Sequence, residues 1–205
     1  DPSWTVPHFE KMLYDNGRLL AAYAEAAVAY KSARFAQVAD DIGAYLLGQM
    51  QHPDGGFYSS QSAESKDGEG AYYVWKQDEI TQVLSDPADF FRAYPFQTNG
   101  NFDGSRTVLN RVPGIDPEST DLRIARKELL AARTQRDHPP TDEKLVVAWN
   151  GLTIHASGFL RKPVHKTRGV SNLPQRLGQR LAILQCNDPC ERLFIPKNLS
   201  MQLLQ

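Results

Sequence analysis

His8 is the residue of this sequence best suited to move a proton. It stands between Pro7 and Phe9 in the run Val6-Pro7-His8-Phe9-Glu10-Lys11-Met12-Leu13-Tyr14-Asp15. Imidazole titrates near neutral pH and serves as acid or base. Glu10 and Asp15 are the nearby carboxylates, which completes a candidate catalytic set of His8, Glu10 and Asp15. A helix starting near Pro7 would put Glu10 in its first turn, where an acid also suits the helix dipole. His8 and Asp15, seven residues apart, would then share a helix face. The competing reading makes His8 a hydrogen-bonding anchor and Glu10-Lys11 a solvated helix start. Asp54, Glu64 and Glu69 lie in loop-like sequence, where sites often sit and where turn chemistry is the plainer explanation. Tyr72, Tyr73, Trp75 and Trp149 offer flat faces that either stack on a ligand or fill a core. Asn150, beside Trp149, is placed to hydrogen-bond a hydroxyl or to cap a helix.

The elements that must position these groups are mostly helical. Residues 17–30 are Ala-rich, with Leu20, Tyr23, Ala24, Ala27 and Tyr30 at helical spacing. After a turn at Lys31-Ser32, residues 33–50 form a second helix with Phe35, Val38, Ala39, Ile42, Leu46 and Met50 on one side. The pair predicts an antiparallel helical hairpin. His52-Pro53-Asp54-Gly55-Gly56 ends it. Phe57-Tyr58 and Ala71–Trp75 are predicted as short strands of a small inserted β-hairpin, with Ser59 to Gly70 as the loop between them. Short helices are expected over 77–84 and 87–94. A longer one over 120–136 carries Leu122, Ala125 and Leu129 in a stripe, flanked by Arg126 and Leu130. Residues 145–160 are expected to be helical in part, around a break at Asn150-Gly151.

The totals narrow the classes. The chain has 205 residues, 41% hydrophobic and 23% charged, with a net charge of −1. That suits one domain or part of a larger one, and gives no reason to expect nucleic acid or an anionic membrane surface as partner. No apolar run reaches the roughly 20 residues of a membrane-spanning helix. No signal or transit peptide is visible, and the first residues read as mid-domain sequence. The two cysteines, Cys186 and Cys190, are not a disulfide framework; a disulfide, half a metal site and two plain thiols are the alternatives, with plain thiols in a reducing, cytoplasmic compartment as the default. Asn99-Gly100-Asn101 lacks the carboxylates of a calcium loop. No metal or cofactor is implied, since dinucleotide, phosphate-loop, zinc-protease and nucleophile-elbow motifs are all missing. From Lys162 the character changes: Lys and Arg far outnumber Asp188 and Glu191, and Pro163, Pro174, Pro189 and Pro196 punctuate the run. Residues 162–205 are therefore expected to be a divergent, poorly packed tail, and residues 1–161 the domain.

Four ordered blocks within residues 1–161 carry a resemblance. They are Val6 to Asp15, Gly55-Gly56-Phe57-Tyr58-Ser59, Glu69-Gly70-Ala71-Tyr72-Tyr73-Val74-Trp75, and Trp149-Asn150-Gly151-Leu152, the last preceded by Asp142-Glu143-Lys144. The sequence resembles the bacterial YyaL and animal spermatogenesis-associated thioredoxin-like protein family. The resemblance implies part of an α/α toroid of the six-hairpin glycosidase type, whose inner helix ends and loops line a sugar-sized cleft. It implies carbohydrate metabolism as the functional area, with a carbohydrate as partner and no settled reaction. In that setting His8, Glu10 and Asp15 would handle protons, and Trp75, Tyr73, Trp149, Asn150 and Glu64 would contact the sugar. The sequence departs from the family in lacking the N-terminal thioredoxin-like domain and the start of the toroid. It carries Ser62 where the family has an acidic residue, and it loses the match beyond about His155. A non-catalytic binding module associated with spermatogenesis and a non-functional truncated product are the alternatives to an enzyme.

Overall fold

In a computed structural model of the chain, the structure describes residues 2–3, 5–116 and 119–160. The tail expected at 162–205, with Cys186 and Cys190, lies outside the described residues. The fold is mainly helical, with a few two-residue strands. Its described residues divide into two compact units, one formed by those up to Glu10 and within Ser62–Pro140, the other by Lys11–Gln61 and residues 141–160. Among the described residues no helix is long and apolar enough to cross a membrane.

The second of these units holds the helical hairpin. β1 (Lys11–Met12) leads into α1 (Leu13–Ala29), which buries Leu13, Gly17, Leu20, Ala24 and Ala27 along one stripe. Lys31 stops α1 by entering the left-handed region at φ 50°, a conformation common just past a helix end. Ser32 then caps α2 (Ala33–Tyr45), its Oγ accepting from the Phe35 N–H at 3.4 Å. The last turn, Leu46–Met50, widens into a π-helical turn. α6 (Val147–Leu160) packs on α1. They meet tightly at Gly17, where an added Cβ would stand 2.8 Å from the Thr153 Oγ1. β2 (Ser60–Gln61) lies between β1 and β5 (Thr141–Asp142) in a three-stranded antiparallel sheet, with Met12 opposite Ser60 and Ser60 opposite Asp142. The expected break at Asn150-Gly151 does not occur: α6 runs through it, and the Asn150 N–H bonds normally to the Val146 carbonyl at 3.0 Å.

The other unit contains the inserted hairpin, but not on the expected residues. β3 (Glu64–Ser65) pairs with β4 (Gly68–Glu69) inside the stretch read as loop. Residues 71–73 form a turn, with the Tyr73 N–H bonding the Gly70 carbonyl at 2.8 Å, and Trp75 bridges Thr107 instead. Phe57 bridges Gln51 within the second unit. The aromatic and β-branched composition of 71–75 reflects burial of Tyr72, Val74 and Trp75 rather than a ladder. α3 (Gln77–Val83), α4 (Ala88–Ala93) and α5 (Thr120–Arg133) enclose a core of Trp75, Ile80, Leu84, Phe90, Leu122 and Leu129. The predicted stripe of α5 is thus the buried one, and Leu130 is exposed.

Candidate functional site

His8 precedes any helix, since α1 begins only at Leu13. The expectation of a helix starting near Pro7 is therefore corrected, and with it the shared face of His8 and Asp15. Residues 7–10 are irregular, with Pro7, His8 and Glu10 exposed and Phe9 buried. Phe9 is the anchor of this segment. Its ring stacks on Tyr73 at 5.8 Å, meets Phe102 edge-on at 5.4 Å, and lies against Gly70. The backbone alternation that turns Phe9 inward turns His8 and Glu10 outward.

His8 opens onto a groove of about 540 Å³, lined also by Thr5, Val6, Pro7, Val108, Leu109 and Asn110. The two walls are tied by Asn110, whose Nδ2 donates to the Thr5 carbonyl at 3.1 Å and to the Val108 carbonyl at 3.0 Å. Asn101 fixes the second wall. Its Oδ1 accepts from the Val108 N–H at 2.7 Å and its Nδ2 donates to the Val108 carbonyl at 2.9 Å. The groove thus combines an exposed imidazole, a hydroxyl and an amide with an apolar wall. Such a surface suits a small polar molecule with one apolar face.

The predicted aromatic surface in the same unit is occupied. Trp75 is 4% exposed, and the Arg136 guanidinium sits 4.0 Å from its ring centroid. The Arg136 Nη1 donates to the carbonyls of Ala71, Tyr72 and Val74, and its Nη2 to Glu79 at 3.3 Å. Glu79 in turn accepts from the Lys76 N–H at 2.8 Å, closing the start of α3. Burial lowers the Arg136 pKa from its ordinary value, against the opposing pull of Glu79. Tyr73 is half-buried. Loss of hydration pushes its phenol up to about 12, with Arg133 pulling the other way. Glu64 is exposed on β3, opposite Glu69.

The remaining predicted residues belong to the other unit. Asp15 is exposed in the first turn of α1, where it suits the helix dipole. Trp149 is half-buried, its ring edge-on to Tyr14 at 4.9 Å. Asn150 is 8% exposed and neither caps a helix nor faces solvent. Its Oδ1 accepts from the Phe57 N–H at 2.8 Å, and its Nδ2 donates to the Phe57 carbonyl at 3.0 Å and the Val146 carbonyl at 3.1 Å. So His8, Glu10, Glu64, Tyr73 and Trp75 fall in one unit, and Asp15, Trp149 and Asn150 in the other.

Sequence reasoning gave no role to Asn101, Asn110, Arg133 or Arg136. The asparagines sit in turn-rich sequence and the arginines near a helix end, where such residues are ordinarily solvated. Among the described residues no group of three or more His, Cys, Asp or Glu could hold a metal ion.

No family model matches the chain. Human spermatogenesis-associated protein 20 is 32% identical to it over 196 aligned residues, which cover 78% of this chain and 25% of the human protein. The mouse protein of the same name is also 32% identical over the same extent. A Caenorhabditis elegans protein is 32% identical over 191 residues, 74% of this chain and 26% of its own length. The chain spans about a quarter of the length of these curated relatives. Over that span it belongs to the spermatogenesis-associated protein 20 family.

Proposed function

We propose that residues 1–161 form part of an α/α toroid domain, and that the His8 groove takes a carbohydrate ring. The observation that carries this reading is the exposed imidazole in an open groove with a polar rim and an apolar wall. A sugar ring has hydroxyls around its edge and an apolar face, so it matches both surfaces. His8 is the proton-transfer group in this reading, and the exposed Glu10 is the carboxylate closest to it in sequence. Thr5 and Asn110 hold hydroxyls at the rim. The resemblance to six-hairpin enzymes supports the substrate class and leaves the bond that reacts open.

The test is a thermal melt of the 205-residue chain with and without a panel of free and N-acetylated sugars, repeated with His8→Ala. A ligand that binds only the native state must raise the transition. An upward shift for one sugar, weakened by His8→Ala, is the expected result. No shift with any sugar, from a chain that melts cooperatively, sinks the reading.

A second reading is a non-catalytic binding module, which in the whole protein works beside a thioredoxin-like domain. Position 62 favours it. Ser62 stands where the family has an acidic residue, and its Oγ accepts from the Glu64 N–H at 3.1 Å, so a hydroxyl serves a turn at that place. Sugar binding without turnover separates this reading from the first. A role in spermatogenesis rests on the name of the relatives and belongs to the same proposal.

A further inference from the structure

A second cavity, of about 310 Å³, opens beside α5, with Trp75, Phe90, Tyr94, Leu129, Arg126 and Arg133 in its wall. We propose that it binds a small anion with an apolar body, a carboxylate or phosphate joined to a ring, and that Arg133 holds the charge.

The two arginines near the end of α5 live in the same aromatic surroundings and differ in how their donors are used. Arg136 gives its donors to three carbonyls and Glu79. Arg133 has only ring faces, lying 5.4 Å from the Tyr72 centroid and 5.6 Å from that of Tyr73. Its Nε is buried with no hydrogen-bond partner. Ring faces attract the cation but take up none of the N–H groups, which lie in the guanidinium plane. The buried Nε is closed off from the cavity as well, which leaves the outer end of the guanidinium to meet a ligand. Arg133 lines the cavity, and the planar fork of arginine matches carboxylate and phosphate geometry.

The rest of the wall fits the same ligand. Arg126 lies on α5 two turns before Arg133 and lines the same cavity. Phe90, Tyr94, Trp75 and Leu129 present apolar surface for the body of the ligand. This proposal does not depend on the carbohydrate reading, which concerns the His8 groove.

The experiment titrates the full chain with phenylacetate, phenyl phosphate and neutral phenylacetamide, followed by calorimetry and by the Trp75 indole NMR resonance. Both anions, or one of them, should bind about tenfold more tightly than the amide and shift the Trp75 signal. Whichever anion is preferred identifies the acid class. Arg133→Gln should reduce the anions to the level of the amide. Equal binding of anions and amide overturns the proposal. So does discrimination that survives in Arg133→Gln. Anion binding that leaves the Trp75 resonance unmoved also overturns it, and this readout needs no variant.

Discussion

Asn150 grips Phe57 by both ends of its amide, accepting from the Phe57 N–H at 2.8 Å and donating to the Phe57 carbonyl at 3.0 Å. The side chain takes the place of a neighbouring strand and pairs with one residue of backbone. Phe57 is 1% exposed, so neither of its polar groups can turn to water instead. Asn150→Ala should lower stability by about 2–4 kcal/mol, since each buried group left unpaired costs about 1–3 kcal/mol. Asn150→Asp should do no better, because it faces the Phe57 carbonyl with a second acceptor. Urea denaturation measures both, and a loss below about 0.5 kcal/mol for Asn150→Ala would contradict the pairing.

Gly70 and Phe9 make a second prediction. Gly70 has φ +70°, and a Cβ built on it would fall 2.5 Å from the Phe9 Cε2. Gly70→Ala meets both the left-handed penalty of about 1–2 kcal/mol and an overpacking cost of about 1–3 kcal/mol. Pairing it with Phe9→Leu should recover part of the second cost and none of the first. A double-mutant cycle by chemical denaturation separates them, and strict additivity would show that the two residues do not press on one another.

Arg136→Met should be among the more damaging changes outside the hydrophobic core. It removes the donor to three carbonyls and the partner of Glu79, for a loss of about 3 kcal/mol or more. Arg136→Lys should recover little, because a point charge cannot reproduce the planar fork. Comparing the two denaturation midpoints tests whether the fork or the charge matters.

His8→Gln should behave in the opposite way. His8 is exposed, so stability should change by no more than about 0.5 kcal/mol, while any sugar-induced rise in melting temperature shrinks. A destabilisation as large as that of Asn150→Ala would assign His8 to structure.

Tyr73 predicts an alkaline limit. Its folded pKa is raised to about 12 from 10.0, chiefly by burial. The native state therefore holds the phenol proton more tightly than the unfolded chain does. The stabilisation is fully present below pH 10 and is lost as pH rises from there through about 12. Tyr73→Phe should flatten that part of the stability profile. In the folded wild type, ultraviolet difference absorbance should show a late phenol ionisation that is missing from Tyr73→Phe. Identical alkaline titrations of the wild type and Tyr73→Phe above about pH 11 would go against the burial argument.

The helices were legible because their signal is local. The stripe Leu122, Ala125, Leu129 repeats within α5, and the Ala-rich run of α1 needs no partner to be recognised. The inserted hairpin lies at 64–69 rather than at 71–75 because aromatic residues signal burial as strongly as they signal strand, while the turn glycines Gly68 and Gly70 help determine where the chain folds back. The sequence around Asn150 suggests a ligand or a cap because its partner lies 93 residues away. The blocks that carry the family resemblance do mark the right places, since Phe9, Gly70, Phe57 and Asn150 all fall in them. What each does is fixed only by a contact with another block. The aromatic residues fared likewise, as nothing near Trp75 in sequence announces that Arg136 covers it.

The unit built on α1 is interrupted in the chain, with residues 62–140 belonging to the other one. During synthesis this imposes a timetable. The α1–α2 hairpin needs only local contacts and can form as soon as it emerges, whereas β5 and α6 appear after the whole intervening stretch has been made. Until then Gly17 lacks Thr153, Phe57 lacks Asn150 and β2 lacks its second neighbour. The flank of the hairpin that α6 covers therefore has no partner until the end of the domain is made, and closing it takes a long loop before any reward arrives. Slower synthesis of residues 62–140 lengthens that wait.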